Sequence, residues 1–412
     1  MKHMLILLAL TMLLAANLPV CSGICDPGNM TIGALLPLSG DYASTGKSGL
    51  VALEQALSDI NQMLSDTGRS TRINVLVKDT RTDPKTTLQA LQDLQAKGVD
   101  IIIGPEDSSS LSAVREYANA NGIILISGSS TAPSLAIAND TTFRLASDDT
   151  HLASAIVAQM RKDGIKAVIP LARDDLWGND LINATRDCLS SEGARVLNPV
   201  KYSPNTENFT ETLADLKPGL DDAVKQYGNG SVAVYLIAFD EAKDLLSHAA
   251  VAVDDPVLSS VRWYGSDPSA VLISKDKQAA GFAEEVHFIY PTFGQENSTV
   301  CKKISNEVRN RYGIDMNSYA LNDYDAAWLV AYTYLVTGSD DPALIRKMLP
   351  IFAKTYRGYS GDAILNDAGD RAFAIYTFWA LQESNGTIQC KPLSKYIYNP
   401  YEGEYWSYVE DA

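Results

Sequence analysis

The sequence predicts an α/β protein of two lobes, each built on a mostly parallel sheet flanked by helices. The chain has 412 residues, more than one hydrophobic core usually holds, so two domains or lobes are expected. Short runs rich in Ile and Val alternate with segments of helical period, the pattern of parallel sheets. One sheet of so many strands would be unusually large, and we therefore divide the chain near residue 148.

The predicted elements follow from this alternation. Apolar runs typical of buried strands lie at residues 31–37, 73–79, 99–104, 122–127, 166–172, 231–238, 261–265 and 285–290. Segments of helical period lie at 47–64, 84–97, 108–120, 150–163, 178–192, 207–226, 240–253 and 296–312. Gly, Asn and Asp turn signals between alternating strands at 358–379 predict an appended antiparallel hairpin.

The N-terminus has the pattern of an export signal. The apolar stretch "MLILLALTMLLAANLPV" follows a short, positively charged start, which predicts a signal peptide over residues 1–23 with cleavage after Gly23. The mature protein would be periplasmic or at the extracellular surface. Lipidation of Cys21, or a retained N-terminal membrane anchor, is the alternative, because "LPVC" loosely resembles a lipoprotein signal.

The charge balance disfavours nucleic acid as a partner. The chain has 34 Lys and Arg against 50 Asp and Glu, a net charge of -16, which would repel a phosphate backbone. The five cysteines show no metal-binding spacing. Cys301 and Cys390 could form a disulfide after export, although unpaired packing residues are an equal alternative.

Two clusters of hydroxyl residues follow neighbouring predicted strands. Residues 108–110 open the helix after "VDIIIG", and residues 127–131 follow "GIILIS". The carboxyl ends of parallel strands meet at one sheet edge, where helix N-termini present unpaired N–H groups. The clusters can therefore form one cradle for a carboxylate, although ordinary helix capping explains the same residues equally well.

The segment "GDYASTGKSG" suggests a phosphate-binding loop, and "VAVYLIAFDE" resembles the strand and acid that hold magnesium in nucleotide hydrolases. That function would place Lys47 and Asp240 at one phosphate site. However, Gly40 and Gly46 enclose five residues, whereas a phosphate loop has four before its Gly-Lys pair. A nucleotide hydrolase is therefore a remote alternative.

Catalytic motifs are otherwise not recognisable. His151, His248 and His287 are far apart, and neither HExxH nor GxSxG occurs. We therefore predict a binding protein without catalytic residues, metal or cofactor.

Asp267 and Trp177 are candidates for ligand contact in the second lobe. Asp267 ends the predicted strand in "RWYGSDPSAVL", and its carboxylate suits an ammonium group, with a helix N-cap before Pro268 as the alternative. Trp177 lies in "ARDDLWGNDL", where it can cover a ligand or pack the lobe.

Seven motifs, in order, resemble the leucine-binding-protein-like solute-binding components of ABC transporters. They are "IGALLPLSGDYASTG", "IIIGPEDSSSLSAV", "GIILISGSSTAPSL", "ARDDLWGNDL", "WYGSDPS", "YALNDYDAAWLVA" and "GYSGDAILNDAGDR". The resemblance implies the two-lobed periplasmic binding protein type I fold with three hinge crossovers. By that resemblance, the N-terminal lobe holds residues 28–148 and 291–356, and the C-terminal lobe holds 149–290 and 357–412.

The same resemblance implies a ligand site made from both lobes. The implied ligand-binding residues are Ser108, Ser129, Ser130, Thr131, Trp177, Phe239, Asp267 and Thr45. The hydroxyl residues and nearby backbone amides would hold the α-carboxylate of an amino acid. Asp267 would hold the α-ammonium, where similar proteins often have Glu, and Trp177 and Phe239 would cover the ligand.

Two positions depart from the family's pattern. Thr45 falls where similar proteins often have an aromatic residue, while Tyr42 lies three residues earlier. Gly128 replaces the usual Pro after "IS".

These features predict an exported, monomeric receptor that captures an amino acid, branched-chain or otherwise apolar, and delivers it to the membrane permease of an ABC transporter. A ligand that contacts both lobes only when the cleft is shut would shift the population toward closure. The alternatives are a binder of short amides or aromatic acids on the same fold, and a ligand-sensing protein.

Overall fold

The computed structural model describes residues 27–190, 193–252, 256–267, 272–294, 298–384 and 387–408. The predicted signal peptide, with Cys21 and Cys25, lies outside the described residues, and so does the helix start predicted at Pro268.

The described strands follow the chain in this order: β1 Met30–Leu36, β2 Ile73–Asp79, β3 Ile101–Ile103, β4 Ile124–Ser127, β5 Thr142–Arg144, β6 Ala167–Arg173, β7 Arg195–Val196, β8 Val200–Tyr202, β9 Val232–Ile237, β10 Arg262–Gly265, β11 Ile289–Phe293, β12 Arg357–Gly358, β13 Gly361–Asp362, β14 Ala374–Ser384, β15 Thr387–Asn399 and β16 Gly403–Tyr408. Each predicted strand overlaps one of these, so the apolar runs are confirmed as strands.

The described α-helices are α1 Ala43–Asp66, α2 Pro84–Gln95, α3 Ser108–Asn121, α4 Asp149–Lys162, α5 Leu176–Ser190, α6 Thr210–Tyr227, α7 Ala242–Val251, α8 Pro256–Ser259, α9 Lys277–Glu285, α10 Thr299–Tyr312, α11 Ala320–Thr337 and α12 Pro342–Ala353. The sequence analysis does not predict α11 and α12. Helix α11 is buried on almost every side in its first half, so it lacks the amphipathic period that reveals a surface helix.

The first lobe is built on a five-stranded sheet of order β2-β1-β3-β4-β5. All its strand pairs are parallel. Strand order reverses direction between β1 and β3, and ligands collect at the carboxyl edge of such switch points. The segments that follow β1, β3 and β4 meet at this edge.

The second lobe is built on a larger sheet of order β16-β15-β14-β11-β10-β9-β6-β7, with β8 also pairing β6. The strands from β6 to β11 pair in parallel, whereas β14, β15 and β16 are antiparallel. Parallel strands buried on both faces have near-continuous apolar sequences. That is why the runs in β6 and β9 were predictable.

The hairpin predicted over residues 358–379 is wrong in position. The antiparallel strands run from Ala374 to Tyr408, three strands rather than two. The turn residues before them form the short β12–β13 pair and a loop whose Asp370 binds Arg144 of the first lobe. Turn signals thus located a connection between lobes, not the appended strands.

Two apolar layers cover each sheet. Ile32 and Leu36 of β1 point into the core shared with α1 and α11, while Leu35 packs with α2 and α3 on the opposite face. The second sheet is covered in the same way. The chain passes between the sheets three times, after β5, after β11 and after α12. The two-lobed fold with three crossovers is therefore confirmed.

The strand β11 lies across the predicted lobe boundary at residue 290, and it pairs with β10 and β14 of the second sheet. The division into residue ranges stays a prediction. Within the described ranges, no helix is both long and apolar enough to cross a membrane.

The possible Cys301–Cys390 disulfide is not formed. Cys301 is buried in the core of the first lobe, whereas Cys390 lies on β15 of the second sheet as an exposed free thiol. The Tyr290 hydroxyl donates to the Cys390 Sγ at 3.2 Å. The two cysteines pack in different lobes.

Candidate functional site

A small cavity, with a volume of about 10 Å³, lies where the carboxyl edges of the two sheets face each other. Its lining residues are Tyr42, Glu106, Asp107, Ser108, Ser129, Thr131, Trp177, Phe239, Asp267 and Tyr319. Six of the eight residues implied by the family resemblance are among them. Ser130 and Thr45 are buried nearby but do not line the cavity.

The hydroxyl residues of the first lobe lie together, as their positions after β3 and β4 predict. The Ser108 and Ser130 hydroxyl oxygens are 3.0 Å apart, and the Ala132 N–H donates to Ser108 Oγ at 3.2 Å. Ser130 thus helps to fix the position of the Ser108 hydroxyl without lining the cavity itself. Because Ser108 is the first residue of α3, unpaired N–H groups of that helix lie at the same end of the cavity.

The hydroxyl of Ser129 is engaged by an acid that sequence reasoning missed. Ser129 Oγ donates to Glu106 Oε2 at 2.8 Å, and the Gly128 N–H donates to Glu106 Oε1 at 3.4 Å. Glu106 therefore has the same kinds of donors around it that the prediction gives to a ligand carboxylate. Its position inside the "GPEDSSS" motif is the signal that could have found it.

Glu106 forms a buried acid pair with Asp323 of α11. Both side chains are fully buried. Burial raises the pKa of Glu106 to about 7, and burial together with the Glu106 charge raises the pKa of Asp323 well above its usual range. A side chain at Gly128 would collide with the Asp323 carboxyl. The acid pair therefore explains why glycine replaces the usual proline at this position.

Asp107 is the second acid at this end of the cavity. Its Oδ1 caps α3 by accepting from the Ser110 N–H at 2.8 Å, a favourable use of a carboxylate at a helix N-terminus. Its Oδ2 is buried with no hydrogen-bond partner among the described residues. Burial raises the pKa of this carboxyl.

Asp267 lines the opposite end, from the second lobe. It accepts a short hydrogen bond from the Tyr319 hydroxyl, and burial raises its pKa to about 6. Asp149 lies close by and accepts from Thr131 Oγ1 at 3.0 Å. Burial and the Asp267 charge raise the pKa of Asp149 well above its usual range. Neither acid has a basic hydrogen-bond partner among the described residues.

Three stacked aromatic rings form one wall. The Phe239 ring centroid lies 4.2 Å from Tyr42 and 4.7 Å from Trp177. Tyr42 therefore supplies the aromatic residue of the first loop. Thr45 does not line the cavity, and its Oγ1 accepts from the Asn317 amide at 2.8 Å.

Arg173 lies behind this wall and is already neutralised. Its guanidinium carbon is 4.0 Å from the Phe239 ring centroid. The same group contacts Asp175 at 2.6 Å, Glu241 at 2.6 Å and Asp41 at 3.5 Å. Three acids therefore share this one cation.

The residues of the phosphate-loop alternative serve other contacts. Asp240 accepts from the Ser44 N–H at 2.8 Å and from Ser44 Oγ at 2.5 Å, which joins the two lobes. Lys47 lies 5.7 Å from the Tyr312 ring centroid. Among the residues that the structure describes, no group of acids, histidines and cysteines is arranged to hold a metal ion.

Known proteins share this architecture. A family model described as periplasmic binding protein matches residues 29–378. An uncharacterised protein from Methanocaldococcus jannaschii is 30% identical over 374 residues, covering 85% of this chain and 87% of that protein.

Two solved structures show the same fold at low identity. A leucine-binding protein from Thermotoga maritima has a TM-score of 0.71 at 18% identity, covering 90% of this chain and 99% of its own. An ABC transporter solute-binding protein from R. palustris, in complex with benzoate, has a TM-score of 0.69 at 17% identity, covering 89% and 96%. From the family match and the extent of the archaeal relative, the chain belongs to the periplasmic binding protein family.

Proposed function

We propose that the protein is an exported solute-binding protein that captures an amino acid between its lobes and delivers it to the permease of an ABC transporter. The observation that carries the proposal is the cavity itself. One end has the hydroxyls of Ser108 and Thr131 and the N-terminus of α3, and the other end has Asp267. These two ends suit the opposite charges of a zwitterion.

The α-carboxylate would dock on the first lobe. Helix N-termini favour anions because their first N–H groups are unpaired and the helix dipole is positive there. Each charge-assisted hydrogen bond from Ser108, Thr131 or a backbone amide would contribute about 1.5–3 kcal/mol.

The α-ammonium would dock on Asp267. The Tyr319 hydroxyl already holds this carboxylate in place, so little rearrangement is needed when the ligand arrives. An ammonium group beside Asp267 would lower the raised pKa of that carboxyl and keep it ionised.

The side chain of the amino acid would lie against the wall of Tyr42, Phe239 and Trp177. Apolar groups buried there would contribute about 0.8 kcal/mol per methylene. This wall supports the branched-chain or other apolar side chain that the sequence predicts.

Closure would follow from the division of the site between lobes. Tyr42 and Ser44 of the first lobe contact Phe239 and Asp240 of the second. A ligand that bridges Ser108 and Asp267 adds affinity only in this closed arrangement, so binding shifts the population toward it.

The test is calorimetry of the mature protein against the twenty amino acids, with Asp267→Asn as the variant. We expect at least one amino acid to bind the wild type and to lose most of its affinity in Asp267→Asn. The matched control is Asp222→Asn, at an exposed position on α6. Unchanged affinity in a folded Asp267→Asn protein would reject the assigned role.

A second candidate ligand class is an aromatic acid. The benzoate-bound structure from R. palustris has the same fold, and the stacked aromatic wall would suit a ring. Benzoate and short amides therefore belong in the same titration. An aromatic acid has no ammonium group, so its affinity should not fall in Asp267→Asn.

A further inference from the structure

The first-lobe end of the cavity carries two acids that the proposed amino-acid site does not use. Glu106 and Asp107 follow β3, line the cavity and are 0% and 3% exposed. The described lining residues include no Lys, Arg or His. Arg173 acts on Asp107 electrostatically, but it is already paired with Asp175 and Glu241.

Asp107 lacks one donor. Its Oδ1 accepts from the Ser110 N–H, whereas its Oδ2 is buried and has no partner among the described residues. An ionised carboxylate oxygen can only accept. A buried acceptor without a donor is costly to fold. A positively charged group or an N–H donor is therefore missing beside Asp107 Oδ2.

Glu106 lacks a counter-ion. Its oxygens accept from neutral groups, namely Ser129 Oγ, the Gly128 N–H and the Asp323 carboxyl, whose raised pKa keeps it protonated. The side chain packed against it from α11 is Asp323, another acid. Buried charges are normally paired with an opposite charge. Glu106 also occupies the Ser129 hydroxyl, so this end of the cavity offers a ligand more acceptors than the predicted carboxylate cradle requires.

We propose that the ligand carries a second positively charged nitrogen, bound by Glu106 and Asp107, and is therefore a net cation such as a basic amino acid or a diamine. This inference rests on the proposed function, because it takes the amino group at Asp267 as given. It adds one feature to the proposed ligand: the methylene groups between the two nitrogens are apolar, and the far end of the ligand is positively charged.

The aromatic wall fits this kind of ligand. Methylene groups gain by burial against Tyr42 and Phe239, and a cation gains by lying over an aromatic face. Arg173 already makes such a contact with the Phe239 ring. The wall therefore accepts a charged chain as readily as a branched apolar one.

The experiment compares ligands that differ only in the second nitrogen. Calorimetry on the mature wild-type protein at about pH 8, where Glu106 is ionised, uses lysine against norleucine and cadaverine against pentylamine. We expect the ligand with two nitrogens to bind about tenfold more tightly, or better, within each pair. The second pair shows whether the carboxylate matters.

Glu106→Gln keeps the shape of the side chain and removes its charge. It should reduce the lysine-to-norleucine affinity ratio to about threefold or less, chiefly by weakening lysine. Glu116→Gln is the matched control, because Glu116 is an exposed residue of α3, the helix that follows Glu106, and it should leave the ratio unchanged. Circular dichroism of each variant checks that the fold is intact.

The outcomes separate the two proposals. Norleucine binding as tightly as lysine would overturn the net cation and leave the amino-acid proposal standing. Cadaverine binding without lysine would support the cation and overturn the amino acid. Equal ratios in the wild type and in folded Glu106→Gln would overturn the role of Glu106, and binding of none of the four compounds would overturn the net cation, while the titration against the twenty amino acids decides the proposed function separately.

Discussion

Buried acids at two places in this molecule differ in whether a cation is packed against them. At the crossing between the lobes, Arg144 forms a two-pronged ion pair with Asp370, both contacts at 2.5 Å, with 0% and 2% of the side chains exposed. Around the cavity, Glu106 and Asp323 are as deeply buried, but each is packed against the other acid and not against a cation.

This difference shows which buried carboxyls have no basic side chain paired with them among the residues that the structure describes. Asp370, away from the cavity, has an arginine packed against it, and Arg144 also donates to the Ala132 carbonyl at 2.8 Å. The carboxyls of the cavity have neutral donors or none. Since burying an unpaired charge is costly, these acids are the basis of our proposal that a ligand, rather than the chain, supplies the cation.

The largest effect that tests this contrast is expected at Asp370. Asp370→Asn leaves the Arg144 guanidinium buried without its counter-ion, and breaking such a pair costs about 3–5 kcal/mol. Urea unfolding of the mature protein measures this loss. Asp222→Asn removes an acid from the exposed Asp222–Lys225 pair and should change stability little. If Asp370→Asn lowers the free energy of unfolding no more than Asp222→Asn does, the Arg144–Asp370 pair is not a strong ion pair and the comparison fails.

The fold was predictable because its signals are local. The runs in β6 and β9 are apolar throughout, since both faces of the sheet are covered, and their alternation with helices fixes the fold class. The appended strands were misplaced because β15 and β16 lie at one end of the sheet, where β16 is the edge strand, and few of their residues are buried. Polar edge strands lack the buried-strand pattern.

The site was predictable only in part, for a related reason. Ser108, Ser129 and Asp267 each follow a strand, so the topology alone brings them to the cavity. The pairing of Glu106 with Asp323 depends on how α11 packs against the first sheet. No local pattern reports such a contact. Gly128 was an indirect sign of this contact, because it replaces the family's usual proline and nothing in the sequence explains the replacement.

The next effect is the pH dependence of stability that Glu106 adds. The pKa of Glu106 is raised from 4.5 to about 7 in the folded chain, so the folded state keeps a proton that the unfolded chain releases. The stabilisation is therefore complete below about pH 4.5 and is lost as the pH rises through about 7, by at most about 3 kcal/mol.

Glu106→Gln should flatten this fall, because Gln does not titrate. Asp267 and Asp240, each with a pKa raised to about 6, and Asp149, whose pKa is raised well above its usual range, keep a fall of the same sign. Urea unfolding at several pH values in wild type and Glu106→Gln measures the difference. Parallel stability curves for the two proteins would show that Glu106 is compensated after all, contrary to the comparison.

The smallest effect concerns the room that the acid pair needs. A methyl group at Gly128 would collide with the Asp323 carboxyl and lie 3.1 Å from Glu106 Oε2. Overfilling a packed site costs about 1–3 kcal/mol, and we expect Gly128→Ala to fall in the lower part of that range, because a carboxyl can shift. Gly230→Ala, where a methyl group meets nothing within 4 Å, is the matched control for the loss of glycine.

A second substitution assigns the cause. If the cost comes from the Asp323 carboxyl, Gly128→Ala should be less destabilising when Asp323 is already Ala than in the wild type, since contacting residues are not additive. A double-mutant cycle measured by urea unfolding gives this coupling. Additive losses would mean that Gly128 is required by its backbone, in which case the glycine says nothing about the buried acids beside it.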